Sequence, residues 1–235
     1  MRFSRSSAVL FWLAIGLAGC AAPATVPPVA ETEGSSGLQE AMRNIPPLIM
    51  GPTVRAVDGT GPYPRPCPIA GARLEQQGGP TMEFLGQNAA DPTMCRMRVG
   101  GEEAQAWYGI WVLDWAGAAE ARPALKRVIE GATGVMAGFD TVATVPGPSP
   151  AQVMWHDVLR NEGVEDIPLL GRTFRAMKLS HYREGFGGNR YRSLSTVWKD
   201  MDSGVVLYGT YQHIAGRPAL DGTLIPAAIV LPPQP

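Results

Sequence analysis

The sequence predicts a mainly β domain of the α+β class, either an antiparallel meander or a curved half-barrel sheet with one or two helices packed on it. Glycine (28) and proline (22) together make up about a fifth of the 235 residues, whereas charged residues make up only 17%. This composition favours many turns and is too apolar for a disordered chain. In the second half, alternating apolar and polar residues form runs joined by short, turn-rich connections, which is typical of β-hairpins.

The first half of this single β-rich domain, which we place at residues 69–235, is predicted to hold short strands and one helix. Turn residues separate three candidate strands, 72–76, 81–85 and 93–99. Residues 104–115 carry four large aromatic side chains and are apolar on both faces, which predicts one long strand covered on both sides. Apolar residues at helical spacing then predict a helix over 117–130, with Pro123 tolerated only near its first turn.

The second half is predicted to form five consecutive antiparallel strands: 153–159, 164–169, 172–182, 190–199 and 205–214. The connections between them are short and rich in glycine, asparagine and aspartate, as expected for hairpins in a meander. Alternation places Phe174 and Ala176 on one face of their strand and Met177 and Leu179 on the other. Trp198 is expected to be largely buried because it is the largest apolar side chain of its hairpin.

Residues 1–19 have the features of a cleaved signal peptide. Arg2 and Arg5 precede an apolar segment of eleven residues, 8–18. A membrane-spanning helix needs about 20 apolar residues, so this segment is too short for a stable span, but it has the length and flanks of a signal. An ordinary secretory signal, cut after Ala22, is one interpretation.

The motif Leu17-Ala18-Gly19-Cys20 ends this segment and resembles the lipobox of bacterial lipoproteins. The resemblance implies diacylglyceryl attachment to the Cys20 thiol, cleavage before Cys20 and acylation of the new N-terminus, which together suffice for stable anchoring. In well-studied Gram-negative bacteria an aspartate after the cysteine retains a lipoprotein in the inner membrane, and here that residue is Ala21. The resemblance therefore implies an outer-membrane lipoprotein that contacts the membrane through its N-terminal lipid and faces the periplasm.

Two segments separate this anchor from the domain. Proline, alanine, serine, glycine and threonine dominate residues 20–37, which predicts a lipidated, flexible tether. Residues 38–68 are predicted to form a short helix followed by coil rich in glycine and proline. Without residues 1–19 the chain carries 18 basic and 21 acidic side chains. We therefore expect no nucleic-acid partner, because no positive field would attract one.

Cys67 and Cys95 remain once Cys20 is lipidated. The compartment beyond the inner membrane is oxidising, so two remaining cysteines are expected to form a disulfide bond. A metal or redox pair is the alternative, but the two cysteines lack a Cys-x-x-Cys spacing and a nearby histidine.

A second resemblance covers part of the second half. It lies in a strand with Trp155, followed by Gly163-Val-Glu-Asp-Ile167, Gly171-Arg-Thr-Phe174, Thr196-Val-Trp-Lys-Asp200 and Gly204-Val-Val-Leu207. This order resembles that of uncharacterised periplasmic β-proteins whose sheets are similar to the curved half-barrel of lipoprotein carriers. The chain departs from their pattern by an inserted arginine, Arg172.

The sequence contains no Gly-x-Ser-x-Gly, His-Glu-x-x-His, Ser-x-x-Lys or P-loop motif, so we expect no catalytic, cofactor or metal residues. His156, His181 and His213 lie on predicted strands, with no two of them within four residues. Ordinary hydrogen-bond partners explain them, although a metal site assembled across the sheet is the alternative. His156 and Asp157 point to opposite faces of a strand and would not pair easily.

Two groups of residues have binding potential. The aromatic side chains of 104–115 indicate core packing or, alternatively, a lipid or sugar surface. On adjacent predicted strands, three basic side chains converge on an anion or lipid head group, or simply form a solvated sheet face: Lys178, Arg190 and Arg192.

The sequence thus favours a non-catalytic binding or structural module of the cell envelope, with a lipid, an apolar ligand or an envelope protein as partner. The alternative is an envelope hydrolase whose site is assembled from separate strands. A deep apolar cavity without grouped polar side chains would favour binding. His181 or His213 hydrogen-bonded to a carboxylate in a cleft would favour catalysis.

Overall fold

The computed structural model describes residues 63–145, 151–186, 190–216 and 223–233, which form two antiparallel sheets and one helix. This architecture confirms the predicted mainly β, α+β class. The predicted signal peptide (1–19), the tether (20–37) and the short helix after residue 38 lie outside the described residues. In the part of the chain that the structure describes, no helix is both long and apolar enough to cross a membrane.

The first sheet contains six strands, and the last strand of the chain pairs with the first. Its strands are β1 Arg73–Gln76, β2 Met82–Gln87, β3 Met94–Val99, β4 Glu102–Trp107, β5 Trp111–Val112 and β11 Pro226–Val230. Their order in the sheet is β11-β1-β2-β3-β4-β5.

Helix α1, Ala118–Ile129, connects the first sheet to the second. The second sheet is a five-stranded meander in which each strand pairs with the next along the chain. Its strands are β6 Met136–Val145, β7 Ala151–Leu169, β8 Arg172–Gly185, β9 Arg192–Asp200 and β10 Val206–Ala215.

The prediction of one long strand over 104–115 is wrong. The chain leaves β4 after Trp107 because Tyr108 and Gly109 adopt left-handed conformations, with φ of 54° and 68°. Tyr108 is fully buried, and its hydroxyl donates a 3.2 Å hydrogen bond to Glu130 Oε1. The turn brings Trp111 opposite Trp107 at the edge of the sheet. Burial of Tyr108 in the tertiary structure therefore overrides the strand propensity of the run.

The predicted hairpin at residues 161–163 is also wrong, because β7 continues through them as one strand with a bulge. The Asn161 side chain donates hydrogen bonds to the carbonyl oxygens of Val128 (3.2 Å) and Gly131 (3.0 Å). It also accepts one from the backbone N–H of Gly163 at 2.8 Å. The Asn161 side chain thus satisfies one carbonyl group in the last turn of α1, which has no partner within the helix, and another just after the helix.

Strand β6 was not predicted. It pairs with β7 over its whole length, from Met136 opposite Arg160 to Val145 opposite Ala151. Ala137 and Phe139 alternate toward the hydrophobic core. This alternation is a signal that sequence reasoning could have used.

The second sheet buries both of its faces, one against α1 and part of the other against the first sheet. We call the first the helix face. On it, Leu159, Met177 and Leu179 pack with a stripe of helix side chains, Ala121, Ala124, Leu125, Val128 and Ile129. On the opposite face, Phe174 and Ala176 pack against residues of the first sheet such as Leu74 and Phe84. The predicted division of the residues of β8 between two faces is therefore confirmed.

The predicted disulfide bond between Cys67 and Cys95 is confirmed. It joins the segment before β1 to β3. The same segment crosses the turn between β9 and β10, where the Ile69 N–H donates to the Ser203 carbonyl at 2.9 Å. Gly204 in this turn has a φ of 73°, and a Cβ there would lie 2.8 Å from the Cys67 carbonyl oxygen.

Replacing both cysteines by alanine should lower the free energy of unfolding by about 2–5 kcal/mol, the usual effect of losing a native disulfide. The bond restricts the unfolded chain and holds the segment around Cys67 against both sheets. Thermal denaturation of the double variant, beside wild-type protein with and without a reductant, measures the effect. Melting temperatures that coincide in all three samples would show that the bond contributes no stability.

Candidate functional site

Asp157 on β7 is the centre of a polar cluster on the helix face. It is fully buried and lies opposite Arg183 of β8, one residue pair beyond Leu159 and His181 on the same face. Its carboxylate accepts hydrogen bonds from His181 Nε2 (2.7 Å), Arg183 Nε (2.7 Å) and Nη2 (3.2 Å), and Thr141 Oγ1 (3.3 Å). The carboxylate on β7 thus accepts hydrogen bonds from both neighbouring strands, β6 and β8.

The environment of Asp157 holds the carboxyl group ionised. Burial alone would raise its pKa, but hydrogen bonds from His181 and Arg183 and the positive charge of Arg183 outweigh burial and lower the pKa below its usual value. The carboxylate is therefore both charged and surrounded by donors. Such a group positions its neighbours firmly and has little capacity left to accept a proton from a substrate.

Two aromatic rings lie close to the Arg183 guanidinium, the cation that pairs with Asp157. The Arg183 guanidinium lies 5.5 Å from the ring centre of Trp111 and 5.3 Å from that of Trp155, within the range of cation–π attraction. The His181 ring meets Trp111 edge-on at 5.3 Å. We call these five residues, Asp157, His181, Arg183, Trp111 and Trp155, the ion–aromatic cluster.

The cluster has one feature of a hydrolytic site, since His181 is hydrogen-bonded to a buried carboxylate. Ser195 of β9 lies directly opposite His181 in the sheet. The other two histidines have ordinary partners: His156 Nδ1 lies 2.7 Å from Asp140 Oδ1, and His213 Nε2 lies 3.1 Å from the Gly216 carbonyl oxygen. Among the described residues, no three histidine, cysteine, aspartate or glutamate side chains are grouped as metal ligands.

Three of the four aromatic side chains from the predicted strand 104–115 belong to the core. Trp107, Tyr108 and Trp111 are buried, whereas Trp115 is 56% exposed. Core packing therefore accounts for Trp107, Tyr108 and Trp111 but not for Trp115.

The three basic residues predicted to form a ligand surface lie at two separate places. Lys178 is opposite Trp198, whereas Arg192 is opposite Glu184 and bonds its Oε1 at 2.8 Å. The two pairs lie six positions apart along β8, which corresponds to about 20 Å. Arg190 lies beside Arg192 in sequence, so the structure does not bring Lys178 together with the two arginines.

Lys178 instead lies beside a groove on the face opposite the helix. Its Nζ is 5.3 Å from the ring centre of Trp198, and Trp198 stacks obliquely on Tyr208 at 5.2 Å. Trp198 Nε1 donates to Glu165 Oε1 at 2.5 Å. The groove has a volume of about 250 Å³ and a mostly apolar lining from the end of β7, from β9 and from β10: Glu165, Ile167, Pro168, Leu169, Trp198 and Tyr208.

The prediction that Trp198 is largely buried is wrong. The side chain is half-buried rather than largely buried, because it packs partly against the core between the sheets and also lines the groove. Sequence reasoning missed the other lining residues. Glu165, Ile167 and Leu169 alternate along one strand, but only the structure shows that this strand end lies beside Tyr208.

A second buried ionisable side chain, that of Lys199, connects two turns through hydrogen bonds. Its side chain is fully buried, and Nζ donates to the carbonyl oxygens of Tyr108 (2.9 Å) and Gly204 (2.5 Å). Burial lowers the pKa of Lys199 to about 7, although the charge of Asp200 acts in the opposite direction. Lys199 thus joins the turn after β4 to the turn after β9.

Comparison with known proteins gives little further information. No family model matches the sequence. No curated protein matches it either. Among solved structures, the chain is similar to the hypothetical lipoprotein YmcC from Escherichia coli, with a TM-score of 0.39 and 11% identity over 77% of this chain and 90% of that one.

Proposed function

We propose that the protein is a lipid-anchored outer-membrane lipoprotein whose β domain faces the periplasm as a non-catalytic binding module. The observation that carries the anchor is the motif Leu17-Ala18-Gly19-Cys20, placed directly after a short apolar segment. Acyl chains on Cys20 would hold the domain at the membrane. Ala21 in place of aspartate supports sorting to the outer membrane.

We propose that the groove beside Trp198 is the binding site and that its ligand is an anionic amphiphile. Ile167, Leu169 and Tyr208 offer apolar surface to a hydrocarbon segment. Lys178, 5.3 Å from the Trp198 ring, offers a positive charge to the head group. The volume of about 250 Å³ lies just below the usual range for ligand pockets, so the groove suits a short apolar segment better than a whole lipid.

Dodecanoate should therefore bind saturably, with a change in tryptophan fluorescence. Lys178→Gln should weaken binding about two- to fivefold, the effect expected for one exposed ion pair. Lys126→Gln is the matched control because Lys126 is an exposed lysine on α1. Leu169→Asp should abolish binding by placing a charge in the apolar lining. Equal affinity in all four proteins, or no saturation in the wild type, would contradict this site.

The alternative function, an envelope hydrolase, has one specific observation in its favour: Ser195 faces His181, which bonds Asp157. An active serine would react with a fluorophosphonate probe. We expect no labelling, because the Asp157 carboxylate is already shared with Arg183. Labelling that disappears in Ser195→Ala but persists in Ser180→Ala would establish the hydrolase instead.

A further inference from the structure

One end of the second sheet exposes three large apolar side chains on the face opposite the helix. Val142 of β6 is 54% exposed and lies directly opposite Met154 of β7, which is 49% exposed. Phe186 follows β8, is also 49% exposed, and donates its backbone N–H to the Met154 carbonyl at 3.0 Å. We call Val142, Met154 and Phe186 the apolar tip. Grouped exposed apolar side chains of this kind mark interaction surfaces more often than scattered ones do.

Arginine side chains accompany the apolar tip. Arg192 lies opposite Glu184, and the Gly185 N–H donates to the Tyr191 carbonyl, so Phe186 and Arg190 are the next residues along the two segments beyond this pairing. The acidic side chains nearby are paired, Glu184 with Arg192 and Asp140 with His156. Among the described residues, none forms an ion pair with the exposed Arg190. The tip therefore combines apolar surface with a positive charge that has no acidic partner in the part of the chain that the structure describes.

We propose that the apolar tip rests on the lipid bilayer to which the chain is anchored, an inference that depends on the proposed lipid anchor. Apolar side chains beside basic ones are the pattern that binds the boundary between head groups and acyl chains. Arginine near anionic lipid phosphates adds electrostatic attraction. The contact needs little affinity of its own, because an anchored domain encounters its own membrane at a high effective concentration.

This contact would also orient the binding groove. The groove lies at the opposite end of the same sheet, where β7 ends at Leu169 and the turn to β8 begins at Leu170. The 14 residues of β8 span about 45 Å between these two ends. With the apolar tip on the bilayer, the groove lies farther along the same face of the sheet from the membrane contact.

The test uses the full-length lipidated protein in vesicles of three parts phosphatidylethanolamine to one part phosphatidylglycerol. One variant, Phe186→Cys, carries an environment-sensitive NBD label at the tip. The matched control, Leu170→Cys, carries it at the other end of the sheet, where the native side chain is 47% exposed. Lipids with a nitroxide near the head group then report contact by quenching. Vesicle flotation reports anchoring independently.

We expect quenching and a blue shift for the label at 186, and neither for the label at 170. Met154→Asp in the Phe186→Cys protein should reduce the quenching, whereas Ile225→Asp, which changes an exposed apolar residue outside the tip, should not. Flotation without quenching at 186, or equal quenching at both labels, would overturn the tip contact and leave the anchor standing. A concentration-dependent blue shift without vesicles would show that a second copy covers the tip. Failure to float would overturn both proposals.

Discussion

Asp157→Ala should lower the free energy of unfolding by about 3–5 kcal/mol, as expected when one partner of a buried ion pair is removed. The variant leaves the Arg183 guanidinium and the His181 ring without the carboxylate that both contact at 2.7 Å. Thr141, itself almost fully buried, loses the same acceptor. Urea denaturation followed by circular dichroism measures the loss.

The control for this prediction is Asp166→Ala. Asp166 belongs to the same strand but is exposed, so its replacement should change stability by no more than about 0.5 kcal/mol. If the two alanine variants were equally stable, the ion–aromatic cluster would have no part in holding β6, β7 and β8 together.

Protein stability should increase with pH from about pH 7 to about pH 10 because of Lys199. In the unfolded chain a lysine keeps its proton up to its ordinary pKa of 10.5, whereas burial lowers the pKa of Lys199 in the folded protein to about 7. Between these values the unfolded state binds one more proton than the folded state, so raising the pH favours folding. The slope for one such proton is about 1.4 kcal/mol per pH unit.

Lys199→Met should remove this slope, since methionine does not titrate and has a similar length. Urea titrations at several pH values compare the two proteins. Above about pH 10 tyrosines act in the opposite direction, because burial raises the pKa of Tyr108 and Tyr182 in the folded state. A wild-type protein that loses stability between pH 7 and pH 9, or a slope that persists in Lys199→Met, would contradict the buried lysine.

Sequence alternation predicted the faces of β8 because both faces are buried by different partners. Phe174 and Ala176 meet the first sheet, whereas Met177 and Leu179 meet α1. The disulfide could be predicted from the cysteine count and the compartment, and required no knowledge of the fold. These inferences succeed because each depends on local pattern or composition.

The course of β7 could not be predicted in this way. Asn161, Glu162 and Gly163 are residue types that favour turns. They form a bulge instead because the Asn161 side chain donates hydrogen bonds to the carbonyl groups of Val128 and Gly131. That contact joins residues about thirty positions apart. Likewise, the burial of Tyr108, which ends β4, depends on Glu130 and Lys199 from distant elements.

The candidate sites could not be predicted from the sequence for the same reason. The diagonal contact between Asp157 and His181 depends on the pairing register of β7 with β8, and the bulge at Asn161 shifts that register by one residue. With 161–163 taken as a hairpin, β7 is divided, and Asp157 is not placed beside β8. The groove lies at the end of the same strand, so its lining residues could not be predicted from the sequence either.

The most direct test of the lipid-anchored account is the intact mass of the mature protein extracted from membranes. The account predicts a chain that begins at Cys20 and carries a diacylglyceryl group and an N-terminal acyl chain, and a Cys20→Ser variant that accumulates as the uncleaved precursor. A mature chain that begins after Ala22, or a Cys20→Ser protein that is still processed and remains membrane-bound, would contradict it.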